Sequence, residues 1–198
     1  MAIVDRAREI ILDPRLTWQT IKEEVYNIKQ LFVNYAAPLA LIPAVCGLIG
    51  MTLVGIRLPS GSVARAPFAE AFIGGALGYV LHLGGIFVAA WAIARLASLF
   101  EAKSDLDLSV KLVVYAMTPA WLVGVFSMVP GLSIISIIAF YSIYLLVLGL
   151  PVLLEVPANK VFLFTMSILL TGFIISFIIS MILVGTVYGP MYMRMMAV

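Results

Sequence analysis

The uncharged run LVVYAMTPAWLVGVFSMVPGLSIISIIAFYSIYLLVLGLPVLL, residues 112–154, decides the architecture. A helix rises about 1.5 Å per residue, so about 20 apolar residues cross the hydrocarbon core of a bilayer. This run is long enough for two crossings. Within it, MVPGLS (128–133) sets Pro130 beside Gly131, the fixed and the permissive backbone of a tight turn. The reading is two membrane helices, 109–128 and 132–153, joined at that turn.

Working outward, further uncharged runs cover 30–56, 71–94 and 161–193. The whole chain has 198 residues, 64% apolar and only 11% charged, far from the composition of a soluble domain. The expected fold is all-α: a polytopic integral membrane protein with five transmembrane helices at 31–56, 69–97, 109–128, 132–153 and 161–187. It divides into a cytoplasmic amphipathic segment (1–30) and a five-helix membrane domain (31–198). Orientation follows from the basic residues. Arg6, Arg8, Arg15, Lys22, Lys29, Arg95, Lys103, Lys111 and Lys160 fall on one side of these spans, and only Arg57, Arg65 and Arg194 on the other. This places the N-terminus in the cytoplasm and the C-terminus outside.

The first 30 residues hold five acids and no continuous apolar core, so a cleaved signal peptide is not expected. They read as short amphipathic helices. Asp13 suits an N-cap and Pro14 the first helical position. Trp18, Ile21, Val25 and Ile28 then follow at spacings of three and four. Two readings fit this stripe. The helix lies on the membrane surface with Trp18 at headgroup level, or its apolar face packs on the protein's own spans.

His82, the sole histidine, lies mid-way along the second span, on a stripe with Ala71, Gly75, Gly78, Gly85 and Ala89. Small residues let a neighbouring helix approach closely, so His82 should face protein. An imidazole there is either hydrogen-bonded across a helix interface or part of a functional path. Thr118, Tyr141, Ser142, Tyr144, Thr171 and Ser176 complete a candidate buried polar layer. Such a layer can hold a bundle together or line a route for a solute. Glu70 and Glu155 stand only at span ends, so no span carries the interior carboxylate that cation-coupled carriers normally use.

The fourth span ends in GLPVLLEVPANK (149–160). Pro151 cannot donate to the carbonyl of Val147, which weakens the helix near its end, and Pro157 stops it from resuming. Asn159 offers an N-cap to the fifth span and Lys160 an anchor at the interface. Folding accounts for the break; the other reading is a cytoplasmic-face site where Glu155 meets Arg95, Lys103 or Lys111.

Catalytic patterns such as HExxH, GxSxG and a glycine-rich phosphate loop are absent from the sequence, and the reading is of a protein that is not an enzyme and calls for no cofactor or metal. The single cysteine, Cys46, allows no intramolecular disulfide and reads as a small packing residue. The scattered basic residues form no stripe for nucleic acid.

Three segments, LDPRLTW (12–18), KLVVYAMTPAWLVGVF (111–126) and YSIYLLVLGLPVLLEVPANK (141–160), together resemble the prokaryotic branch of the YIP domain family. The resemblance extends over about residues 5–185. It implies a five-span protein with a cytoplasmic N-terminus. Eukaryotic members act in vesicle trafficking through prenylated small GTPases and other membrane proteins, so the resemblance implies partners of those kinds besides membrane lipids. The expected function is membrane organisation or partner recruitment at the cytoplasmic face, with Trp18, Ile21, Val25, Glu155 and Lys160 as contacts. The alternative is a small channel or transporter running past His82 and Tyr141. The expected location is a prokaryotic plasma membrane. Glycine stripes can pack within a chain or between copies, which leaves a homo-oligomer open.

Overall fold

The computed structural model describes residues 3–25, 27–57, 63–129 and 138–196. Two short helices, α1 (Ile3–Leu12) and α2 (Pro14–Glu23), precede the long ones. Four helices are long and apolar enough to cross a membrane: α3 (Ile28–Val54), α4 (Phe68–Phe100), α5 (Leu106–Met128) and α7 (Val161–Met193). Between the last two lies α6 (Ile138–Leu153), apolar but shorter. The proposed turn at Pro130–Gly131, and residues 132–137 of the expected fourth span, lie outside the described residues.

One departure from an all-helical chain is a minimal ladder, β1 (Ile56–Arg57) paired antiparallel with β2 (Val63–Ala64). Gly55 enters it at φ +81°, a conformation that disfavours side chains. The Arg65 Nε donates to the Leu53 carbonyl at 2.9 Å and so ties β2 back to the end of α3.

α5 is the central helix: 61% of its most apolar stretch is buried, against 6% for α7. Asp105 caps it, accepting from the Leu108 amide at 3.1 Å. Pro119 breaks it after Ala116, because its ring displaces the hydrogen bond to Tyr115 that a helix would make. The C-terminal turns of α5 then press onto α3, where a β-carbon at Gly124 would sit 2.5 Å from Pro43. Pro43, inside α3, is thus a contact point, and Cys46 three residues on is buried.

α4 packs on α7 through its small residues. A β-carbon at Gly74 would meet the Tyr188 ring at 2.8 Å, and one at Gly85 would meet Ile179 at 3.0 Å. Gly78 faces Leu183 in ordinary contact, whereas Gly75 faces no atom within 4 Å. The stripe therefore runs through Gly74 and not Gly75 at this level.

The N-terminal helices join the same core as the long ones. Ile10, Trp18 and Ile21 are buried together with Leu112, Leu145, Leu150 and Leu153. Of the two readings of the Trp18 stripe, packing on the protein's own helices is the one seen. Trp18 and Ile21 are consequently not offered to a partner. Val25, beyond the end of α2, is 99% exposed and belongs to no buried face.

Candidate functional site

The polar residues converge at one end of the bundle. α2 begins at Asp13, whose side chain accepts from the Leu16 amide at 3.4 Å, and Pro14 fills the first position as expected. It runs alongside α6 in the same direction. The Tyr141 hydroxyl donates to the Ile11 carbonyl at 2.9 Å, Trp18 lies on Gly149, and Lys22 pairs with Glu155 at 2.8 Å. These three contacts span almost the full length of α6.

Lys111 closes the end of α2. Its side chain is buried, and Nζ donates to the carbonyl of Ile21 at 3.0 Å and to that of Glu24. A cation on the last carbonyls of a helix satisfies orphan acceptors and opposes the negative end of the helix dipole. Arg6 is buried on the other side of the pair, held by Glu24 and, at 3.3 Å, by Glu9. Burial disfavours the Arg6 charge, but the nearby carboxylates outweigh it and raise its pKa further. Removing one partner of so buried a pair typically costs ~3 kcal/mol.

Two carboxylates stand in left-handed backbone at the ends of apolar helices: Glu101 at φ 57° after α4, and Glu155 at φ 55° after α6. Glu101 pairs with Lys160 at 2.6 Å, and Glu155 with Lys22. The ion-pair partner of Glu155 is thus Lys22, because α2 lies directly beside the end of α6, while Lys103, one of the expected cations, adds a weaker electrostatic contribution. Lys103 contributes its backbone amide, which donates to the Leu154 carbonyl at 2.8 Å. The Lys22 hydrogen bond and charge hold the Glu155 carboxyl below the usual range. Asn159 does not cap α7; the cap position is Lys160, whose side chain reaches Glu101 instead. The N-terminal helices, the α4–α5 link and the α6–α7 link are therefore clasped at one end. At the other, Met191 is buried with Ala66 and Ala71, just beyond β2.

The expected polar layer separates into distinct contacts. His82 accepts a hydrogen bond at Nε2 from the Trp121 indole at 2.9 Å, so its ring proton sits on Nδ1. The cross-helix partner is an indole and not a hydroxyl. Thr118 pairs with the Tyr35 hydroxyl at 2.9 Å, both buried. Tyr141 is committed to Ile11, Tyr144 is exposed and packs against its ring in a tilted arrangement, centroids 5.2 Å apart, and Thr171 bonds its own helix at Ser167. His82, Ser142 and Ser176 do come together, lining a cavity of about 420 Å³ among α4, α5, α6 and α7. A second cavity, of about 370 Å³, lies on the far side of His82 between α3, α4 and Trp121.

Arg6, Glu24 and Trp121 were not singled out from the sequence. A buried ion pair between residues 18 apart leaves no periodic signal, whereas Trp121 follows Thr118 by three and shares its helix face. Exposed apolar side chains at Val4, Leu12 and Leu16 were also missed, although they repeat at multiples of four with Arg8.

The Yip1 domain matches residues 8–189, and the chain belongs to that family. It is similar to the inner membrane protein YohC of Escherichia coli K12, 25% identical over 166 residues, covering 82% of this chain and 85% of that protein. The inner membrane protein YohC of Escherichia coli O6:H1 aligns with the same identity and coverage. No solved structure matches.

Proposed function

We propose that this membrane protein of the Yip1 family is not an enzyme and acts by organising the bilayer or recruiting a partner through the outer face of α1 and α2. One observation carries the reading. While the inner face of this pair is locked into the core, its outer face exposes Val4, Leu12 and Leu16 next to Arg8 and Arg15. Apolar side chains flanked by cations suit the boundary between headgroups and water, or a partner bound there. Photocrosslinking from Leu16 and Gln19 in native membranes tests it. A stoichiometric protein captured by the wild type and lost in Leu16→Glu establishes recruitment; capture of lipid and self alone leaves only the membrane-shaping form.

The proposed topology has five spans, α6 with residues 132–137 forming the fourth, a cytoplasmic N-terminus and a C-terminus outside. Its support is the gathering of Lys22, Lys103, Lys111 and Lys160 at one end, with Arg57 and Arg65 at the other. A prokaryotic inner membrane is the proposed location, in keeping with the relatives' name. In a Cys46→Ala background, single cysteines at Gln19 and Arg65 should react with impermeant reagents from opposite sides; labelling from the same side overturns the topology.

A channel or carrier is the second reading, favoured by the position of His82 between two cavities. Tyr141 lines neither of them. Solute flux abolished by His82→Gln, with no effect of Leu16→Glu, would select it.

A further inference from the structure

The N-terminal helices form a hairpin that lies along α6. Arg6 in α1 meets Glu24 just past α2, so the two helices run antiparallel, with Leu12 and Asp13 at the tip. The tip sits at Tyr141, whose hydroxyl holds the Ile11 carbonyl, and the base at Glu155, which holds Lys22. At about 1.5 Å per residue, Tyr141 lies about 20 Å along α6 from Glu155. The neighbouring helices give the same level. Ser142 shares a cavity with Gly172 and Gly85, which lie about 18 Å along α7 from Lys160 and about 15 Å along α4 from Arg95. The hydrocarbon core of a bilayer is about 30 Å thick, so a hairpin entering beside these basic residues carries its tip to roughly the middle.

At that depth the outer side of the tip does not suit lipid. Leu12 and Leu16 are exposed there, and so are Asp13 and Arg15 between them. The Asp13 carboxylate accepts one hydrogen bond, from the Leu16 amide, and Arg15 enters no ion pair among the described residues. Charged side chains at membrane depth ordinarily pair with one another or face protein, and the short side chain of Asp13 cannot reach back to the headgroups. We propose that a second copy of this chain covers the tip in a two-fold contact, Asp13 of each copy meeting Arg15 of the other inside a ring of Leu12 and Leu16 side chains. One acid and one base two residues apart make a patch complementary to itself, which a two-fold contact requires. Lipid tails offer no counter-charge, and a water-filled opening would leave both leucines wet. The glycine stripe of α4 is not the meeting surface, since Gly74 and Gly85 already seat Tyr188 and Ile179 of the same chain. The inference rests on the proposed function for two points, that the outer face of α1 and α2 is a contact surface and that α6 belongs to a span, and it names the partner.

The test is disulfide cross-linking of the full chain in native membranes, with Cys46→Ala and Leu12→Cys, oxidised by copper phenanthroline. Phe173→Cys, on the exposed side of α7, is the control for random collision. Leu12→Cys should give a covalent dimer well above that control. Adding Arg15→Asp sets like charges against each other and should cut the yield about tenfold. Asp13→Arg alone should do the same. Co-expressed, the Asp13→Arg and Arg15→Asp chains should cross-link to each other at the original yield, because each supplies the charge that the other lacks. A Leu12→Cys yield equal to that of Phe173→Cys, or one unmoved by Arg15→Asp, would overturn the proposal. Should Asp13→Arg, which also removes the cap of α2, fail to fold, the Arg15→Asp result decides alone. Failure here is distinguishable from failure of the outer-face reading. A foreign protein captured from Leu16 without a cross-linked dimer keeps recruitment and overturns the self-contact, whereas a charge-dependent dimer without foreign capture does the reverse.

Discussion

Trp18 rests on Gly149: a β-carbon at that glycine would lie 2.9 Å from two atoms of the indole and 2.6 Å from a methyl of Leu112. The glycine that weakens α6 as a helix is therefore also the seat that admits α2. The Leu112 methyl can swing away, but the indole is buried on every side and cannot.

Gly149→Ala should destabilise the protein by ~1–2 kcal/mol. Overpacking of this kind costs about 1–3 kcal/mol, and the better helix propensity of alanine returns less than about 1. Thermal unfolding in detergent measures the net. An increase in stability would show that α2 yields freely, and Trp18→Ala would then have to cost less than the ~3–5 kcal/mol of an ordinary buried tryptophan.

Lys111→Met keeps the length of the side chain and removes both hydrogen bonds to the end of α2. Charged hydrogen bonds are worth about 1.5–3 kcal/mol each, less the cost of burying the ammonium, so ~2 kcal/mol is the expected loss. The effect should be local. Hydrogen exchange should quicken at residues 20–24 well before α5 or α6 responds.

The Glu155–Lys22 pair makes stability depend on pH with a definite sign. A folded carboxyl held below its ordinary value contributes stability that is complete above the unfolded pKa, about 4.3 for glutamate, and disappears as pH falls through the folded value. The melting temperature of wild type minus that of Glu155→Gln should therefore be flat from pH 8 to about 6 and should shrink in acid. A difference that grows on acidification would contradict the pairing.

Glu101→Gly should stabilise the protein slightly. Left-handed backbone costs a non-glycine residue about 1–2 kcal/mol, and a partly exposed ion pair with Lys160 returns about 0–1. Urea or thermal midpoints of Glu101→Gly and Glu101→Ala separate the two contributions, since alanine loses the ion pair and keeps the strain.

The sequence made the long apolar helices legible because uncharged length is a direct signal, and the end of α6 beyond Leu153 fell where Pro151 and Pro157 put it, whereas the break at Pro119 inside α5 was read through as one continuous span. Asp13 and Pro14 likewise announced the start of α2. Periodicity placed Trp18 and Ile21 on one face but could not say whether lipid or protein covered it, since both are apolar. Val25 kept the spacing and still left the helix, because Glu24 turns extended at the cap. The polar layer was legible only by depth: His82, Ser142 and Ser176 share a cavity, while Thr118 and Tyr141 turn to Tyr35 and Ile11. Which hydroxyl faces which helix depends on the rotation of each helix in the bundle, and hydrophobicity all round a helix leaves no trace of that rotation.

The slot for Trp18 is assembled from Leu112 and Gly149, and its latch from Lys111 and Glu155. During synthesis the ribosome delivers α2 first and its seat more than a hundred residues later. This helix must therefore wait, with Trp18 and Ile21 uncovered, until the end of α6 has been made; its docking reports that the helices forming its seat are already in place.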